Sequence, residues 1–240
     1  MRDNRAIARV GRWALGPGLP FAAALLAMLL ALPSLCAGLM ADDLFQHALL
    51  RDAPYATEHI GDIWAMYDFV DGDPARTRRL MDLGFMPWWT HEQARFSFLR
   101  PVAVATHWLD YRLWPDSTPL MHLHSLLWFG ALVFAVALLQ RRILGAGTVA
   151  LIAALIYAVD DAHAIPAAWL ANRNGLLAAF FGVLVLLLHD HARRTTAPAR
   201  RAAGFSGAWL CLVLALLSNA GRTAVGAYLA AYALFLDRGA

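Results

Sequence analysis

The sequence predicts an all-α, polytopic membrane protein with six transmembrane helices and one large outer loop of short juxtamembrane helices. Three observations predict it. Hydrophobic residues make up 60% of the chain and charged residues only 15%. That balance is too apolar for a water-soluble domain of 240 residues. The apolar residues come in blocks long enough to read as membrane spans. The arginines stand beside those blocks, where positive charge sets topology.

The first span is residues 19–40, preceded by Arg2, Arg5, Arg9 and Arg12. The run exceeds the apolar core of a usual signal peptide, and no clean A-x-A cleavage site follows. A retained helix therefore fits better than a cleaved leader. Residues 41–118 form the outer loop, with twelve acids against seven arginines. Its tryptophans Trp64, Trp88, Trp89, Trp108 and Trp114 point to short helices at headgroup level. "RRLMDLGFMPWW", residues 78–89, reads as one such amphipathic piece. Span two is residues 119–139, followed by "QRR", and span three is residues 143–159. Span four starts at Pro166, since proline suits a first helical turn, and ends near residue 188. Asn172, Arg173 and Asn174 then lie within its first two turns. "HDHARRTTAPARRAAG" reads as a basic loop in which His189 and His191 are solvated. Span five is residues 205–217, Gly221 marks a stop, and span six is residues 224–236. All of this forms one membrane domain.

With residues 1–18 in the cytoplasm, the inner side receives Arg2, Arg5, Arg9, Arg12, Arg141, Arg142, Arg193, Arg194, Arg200 and Arg201. The short outer loops receive only Arg173 and Arg222. Topology thus accounts for the net charge of +3 without a nucleic-acid partner. All 20 basic residues are arginine, so no Schiff-base or P-loop lysine is available. Cys36 and Cys211 fall in apolar segments, which argues against a disulfide framework.

Polar residues collect on the outer side. "VDDAHAIPAAWLANRNG", residues 159–175, separates two strongly apolar runs. An arginine at the depth of Arg173 must face a water-filled cavity or a partner, and Asp160 and Asp161 are close by in sequence. Asp42 and Asp43 follow span one. A carboxylate at an apolar boundary has a raised pKa and can take a proton; the plainer reading is a solvated helix end. His122 and His124 point to different helix faces, which suits interfacial hydrogen bonding better than a shared metal.

Several boxes recur in a known pattern: Arg100-Pro101, "LDYRLW" at residues 109–114, "HLHS" at 122–125, and "AWLANR" at 168–173. As a set they resemble the N-terminal half of the membrane-embedded C-type glycosyltransferases. The nearest branch is the protein O-mannosyltransferase-like group, including the transmembrane-and-TPR mannosyltransferases. Ser125 stands where that group has asparagine, and Asn219 where an acidic residue often follows serine. The resemblance implies a GT-C-like fold, and reads the chain as the N-terminal part of a longer enzyme or as a truncated or degenerate copy of one. It implies sugar transfer, with inversion, from a polyprenyl-phosphate donor to a protein, lipid or glycan acceptor. The site would be the periplasmic side of a bacterial inner membrane.

It further implies Asp42 or Asp43 as the base or as a metal holder. Arg173 and Arg222 would hold phosphate, since guanidinium matches phosphate oxygens bidentately. Asp160, Asp161, His163, Asn172 and Asn174 would complete the substrate site. Asp160, Asp161 and His163 are also the candidate ligands for a divalent metal ion. Two other readings stay open: a non-catalytic membrane scaffold built on such a fold, and a small transporter. The lack of a convincing internal repeat counts against the transporter.

Overall fold

The computed structural model describes residues 16–51, 61–222 and 224–236, and they are mostly helical. Helix α1 (Leu19–Leu30) continues into a 3-10 turn, Leu32–Cys36. The region between α1 and the next long helix, expected on the outer side and hence named the outer region, holds α2 (Asp42–Leu50), a 3-10 turn (Ile63–Tyr67), α3 (Pro74–Asp82) and α4 (Pro101–Leu113). The bundle continues with α5 (Thr118–Leu144), α6 (Thr148–Val159), α7 (Ala164–Ala168), α8 (Arg173–Arg194), α9 (Pro198–Ser218) and α10 (Ala224–Phe235).

Four segments are long and apolar enough to cross a membrane: Leu19–Cys36, Thr118–Leu144, Leu170–Arg194 and Pro198–Ser218. The pair Thr148–Val159 and Asp161–Ala168, bent by 45°, makes a fifth if it is one span. This is fewer than the six expected. Helix α10 has 12 residues, and at 1.5 Å per residue it reaches about 18 Å, short of a core about 30 Å thick. The segment containing it nevertheless follows α8 for most of its length. Asn219 Nδ2 donates to Asn174 Oδ1 at one end (2.9 Å), and Tyr232 Oη donates to Asp190 Oδ1 at the other (2.9 Å).

Several boundaries differ from the sequence reading. The second span continues through "QRR" to Leu144. The expected basic loop is mostly helix: α8 runs on to Arg194 and α9 begins at Pro198. His189 lies against the rings of Phe205 and Tyr232 instead of in solvent. Span four does not start at Pro166. That proline sits in the five-residue α7, and Trp169, at φ −101° and ψ 112°, breaks the helix. The break follows from what holds Ala171. Its N–H goes to Asp43, and its carbonyl accepts from Tyr67 and Asn174.

The outer region also departs from all-α. β1 (Asp68–Asp71) pairs antiparallel with β2 (Arg95–Ser97), with α3 between them. Asp73 caps α3 by accepting from Ala75 N (3.0 Å). The helix ends at Asp82, so residues 78–89 are not one amphipathic piece. Trp88 and Trp89 lie beyond it, 82% and 70% exposed.

Apolar packing fixes these parts relative to one another. Leu19, Ala23 and Ala27 of α1 join Leu126, Phe129 and Val133 of α5 in one buried cluster. Phe45, Leu49, Met66, Leu80 and Val104 form a second under the outer region, together with Leu177 of α8. The outer region is therefore seated on the bundle through α8. At the opposite end of α8, the buried Asp190 accepts from Arg194 Nε (2.7 Å) and Arg142 (3.4 Å), as well as from Tyr232.

Candidate functional site

The site is built around the break before α8. After α1 the chain turns at Ala41, whose φ of 46° is unusual for a residue with a side chain. This turn starts α2 with two acids. Asp43 folds back: Oδ2 accepts from Met40 N (3.1 Å) and Oδ1 from Ala171 N (2.6 Å). It is 2% exposed. Tyr67 Oη and Asn174 Nδ2 donate to the carbonyl of the same Ala171, at 2.9 and 2.7 Å. Two distant segments and the nearby Asn174 thus hold Ala171 through both its N–H and its carbonyl.

Asp43 has both oxygens engaged and acts as the tether. Asp42, one residue earlier, is half-buried and lines a cavity of about 240 Å³. Burial raises its pKa above the ordinary carboxylate range, partly opposed by the positive charge of Arg100. The same cavity is lined by Arg100, Trp169, Asn172 and Asn174, and by the rings of Tyr67 and Phe98. The Arg100 guanidinium lies over those two rings, 4.8 and 4.4 Å from their centroids. Burial lowers the pKa of Arg100, opposed by Tyr67 and Asp42. Two buried donors in this cavity, Arg100 Nε and Trp169 Nε1, have no hydrogen-bond partner. A buried unpaired donor is costly, so both are free to bond an acceptor, whether water or ligand.

Arg173 is placed otherwise than expected. Its side chain is 0% exposed and forms an ion pair with Asp110, NH1 to Oδ2 at 2.5 Å. Its Nε donates to Ser125 Oγ (2.9 Å) and NH2 to the Met121 carbonyl (2.9 Å). Asp110, 1% exposed, also accepts from His124 Nδ1 (2.6 Å). His124 Nε2 accepts from Trp128 Nε1 (3.0 Å), so this network puts the imidazole proton on Nδ1. Phosphate could reach Arg173 only by displacing a buried carboxylate. The guanidinium therefore joins α8 to α4 and α5 and is not a ligand group facing the cavity. His122 behaves as the sequence suggested, bonding through Nε2 to the Gly38 carbonyl (2.8 Å).

Asp160, Asp161 and His163 do not join Asp42. They line a different cavity, of about 280 Å³, bounded by α1, α5, α6 and α7. The two cavities share no lining residue. The side chain of Arg222 lies outside the described residues. Among the described residues no group of three or more His, Cys, Asp or Glu side chains is arranged to hold a metal ion. The expected donor set therefore does not fit a metal held by protein ligands alone.

Sequence reasoning brought Asp42, Asn172 and Asn174 to one place but missed Arg100, Trp169 and Asp110 as working members. Each stood in a quoted box. The depth expected for Arg173 already called for a water-filled cavity or a partner, and Asp110 stands in "LDYRLW". No family model, curated protein or solved structure matches the chain.

Proposed function

We propose that the chain is a GT-C-type glycosyltransferase, or the part of one that carries its base. It transfers a sugar from a polyprenyl-phosphate donor to an acceptor hydroxyl on the outer side of a bacterial inner membrane. The observation that carries this reading is the Asp42 cavity. It combines a carboxylate whose pKa burial raises, an arginine held on aromatic rings, and two buried donors without acceptors. Aromatic faces suit sugar rings, and paired donors suit phosphate oxygens.

In the reaction, the Asp42 carboxylate takes the acceptor's hydroxyl proton. The hydroxyl oxygen attacks the anomeric carbon from the face opposite the phosphate, and a new C–O bond forms. The bond from carbon to phosphate oxygen breaks, and its electron pair leaves on polyprenyl phosphate. Arg100 and Trp169 stabilise that developing charge. Asp43, Tyr67 and Asn174 position the cavity wall through Ala171. No step requires Arg173.

A cytoplasmic N-terminus follows from the arginine distribution, and it puts Asp42 outside. A sixth crossing by residues 219–236 belongs to the same proposal. It is supported by the Asn219–Asn174 and Tyr232–Asp190 bonds at the two ends of α8. The test is transfer from labelled polyprenyl-phospho-sugar by the wild type, Asp42→Asn, Asp43→Asn and Arg100→Ala. Asp42→Asn should lose at least about 100-fold in rate, the usual worth of a positioned base, while remaining folded. Full activity in Asp42→Asn removes the base and with it this reading.

A further inference from the structure

We infer that the second cavity, with Asp160 and Asp161 at its mouth, binds a long-chain alkylammonium group. Both aspartates are exposed at the end of α6, and no arginine lines the cavity. Asp160 Oδ1 caps the following turn by accepting from Ala162 N (3.0 Å), which leaves its other oxygen available. The mouth is therefore anionic and favours a cationic head. The interior is apolar, built from Ala27, Leu30 and Phe129, but it contains two polar atoms without partners. Ser34 is 8% exposed and its Oγ has no hydrogen bond. His163 Nε2 is likewise buried and unpartnered, although its ring packs on Tyr157 and Phe129. Carboxylates, a hydroxyl and an imidazole around one hollow match the N–H donors of an ammonium head.

The hydrocarbon part of the ligand follows from a third cavity. His163 also lines a groove of about 860 Å³ between α5, α8 and α10, whose walls include Val136, Leu139, Gly182, Leu186 and Tyr228. His163 thus walls both the acidic hollow and the apolar groove. An ammonium at Asp160 and Asp161 can continue past His163 as an alkyl chain. Burying each methylene contributes about 0.8 kcal/mol, so chain length should govern affinity. The exposed Val159 of α6 lines the cavity beside these aspartates.

The head could belong to an ethanolamine phospholipid or to a free long-chain amine, and two experiments separate these. In detergent, dodecylammonium should raise the thermal midpoint of the full chain saturably, and dodecanol should not. In nanodiscs, replacing phosphatidylcholine by phosphatidylethanolamine should raise the midpoint if the lipid is the source. The shift should vanish in the double variant Asp160→Asn/Asp161→Asn, which can still cap the turn. It should also vanish in Ala164→Phe, which fills the mouth from an exposed position. It should persist in Asp42→Asn, so the outcome is independent of the transferase reading. A shift confined to one arm identifies the source. No shift in either arm, an equal shift with dodecanol, or a shift retained in both blocking variants overturns the inference.

Discussion

Asp42 and Asp43 are adjacent in sequence, yet the fold gives one a free carboxylate and the other two backbone bonds. Burial raises the pKa of Asp42, so a rate that depends on its ionised form should rise with pH through a midpoint above the ordinary value of about 4. The pH–rate profile of transfer reads this directly. Stability carries the opposite sign. The folded-state pKa exceeds the unfolded one, so this group's contribution is fully present below the unfolded pKa and is lost as pH rises through the folded pKa. Asp42→Asn should flatten that decline in denaturant titrations run across the same window. Arg173 and Asp110 depend on each other. Removing one partner of a buried pair costs about 3–5 kcal/mol. Asp110→Ala should therefore unfold far more readily than Asp116→Ala, whose carboxylate is exposed. Sequence alone could say that Arg173 needed a partner, because charge at that depth does. It could not say which, because 63 residues separate it from Asp110.

At the level of helices, small residues decide how closely α8 meets its neighbours. A Cβ at Gly204 would lie 2.9 Å from Ala192 Cβ and 3.3 Å from the backbone of α8. Neither can yield without moving a helix. Gly204→Leu should thus cost about 1–3 kcal/mol by overpacking, measured by unfolding in mixed micelles. Gly130 is the control. A Cβ there would lie 2.4 Å from Met28 Sδ and 2.9 Å from its Cγ, atoms of a side chain that can turn aside, so Gly130→Ala should cost less than Gly204→Leu. Apolar blocks made the long helices readable from sequence, because each is a property of its own residues. The break at Trp169 and the pairing of β1 with β2 were not readable. The first is imposed by Asp43 and Tyr67 gripping Ala171, and the second joins strands separated by α3 and its following loop. Both are set by contacts far along the chain, which local patterns do not encode.

Considered whole, the molecule places basic helix ends on one side and the Asp42 cavity on the other. With Cys36→Ser and Cys211→Ser as background, Ala146→Cys should react with an impermeant thiol reagent only after the membrane is opened. Gln93→Cys should react in intact cells. The reverse result would invert the topology and move the proposed chemistry to the cytoplasm. One more property arises from the stretch between α6 and α8. His163, Ala164, Ala167 and Ala168 line the acidic hollow, and Trp169, Ala171, Asn172 and Asn174 line the Asp42 cavity. A single run of twelve residues thus contributes its first half to one chamber and its second half to the other. Should an occupant on one side shift that run and alter affinity on the other by some factor, thermodynamic reciprocity requires the same factor in return. The two compartments then communicate without a dedicated relay, through one stretch of chain.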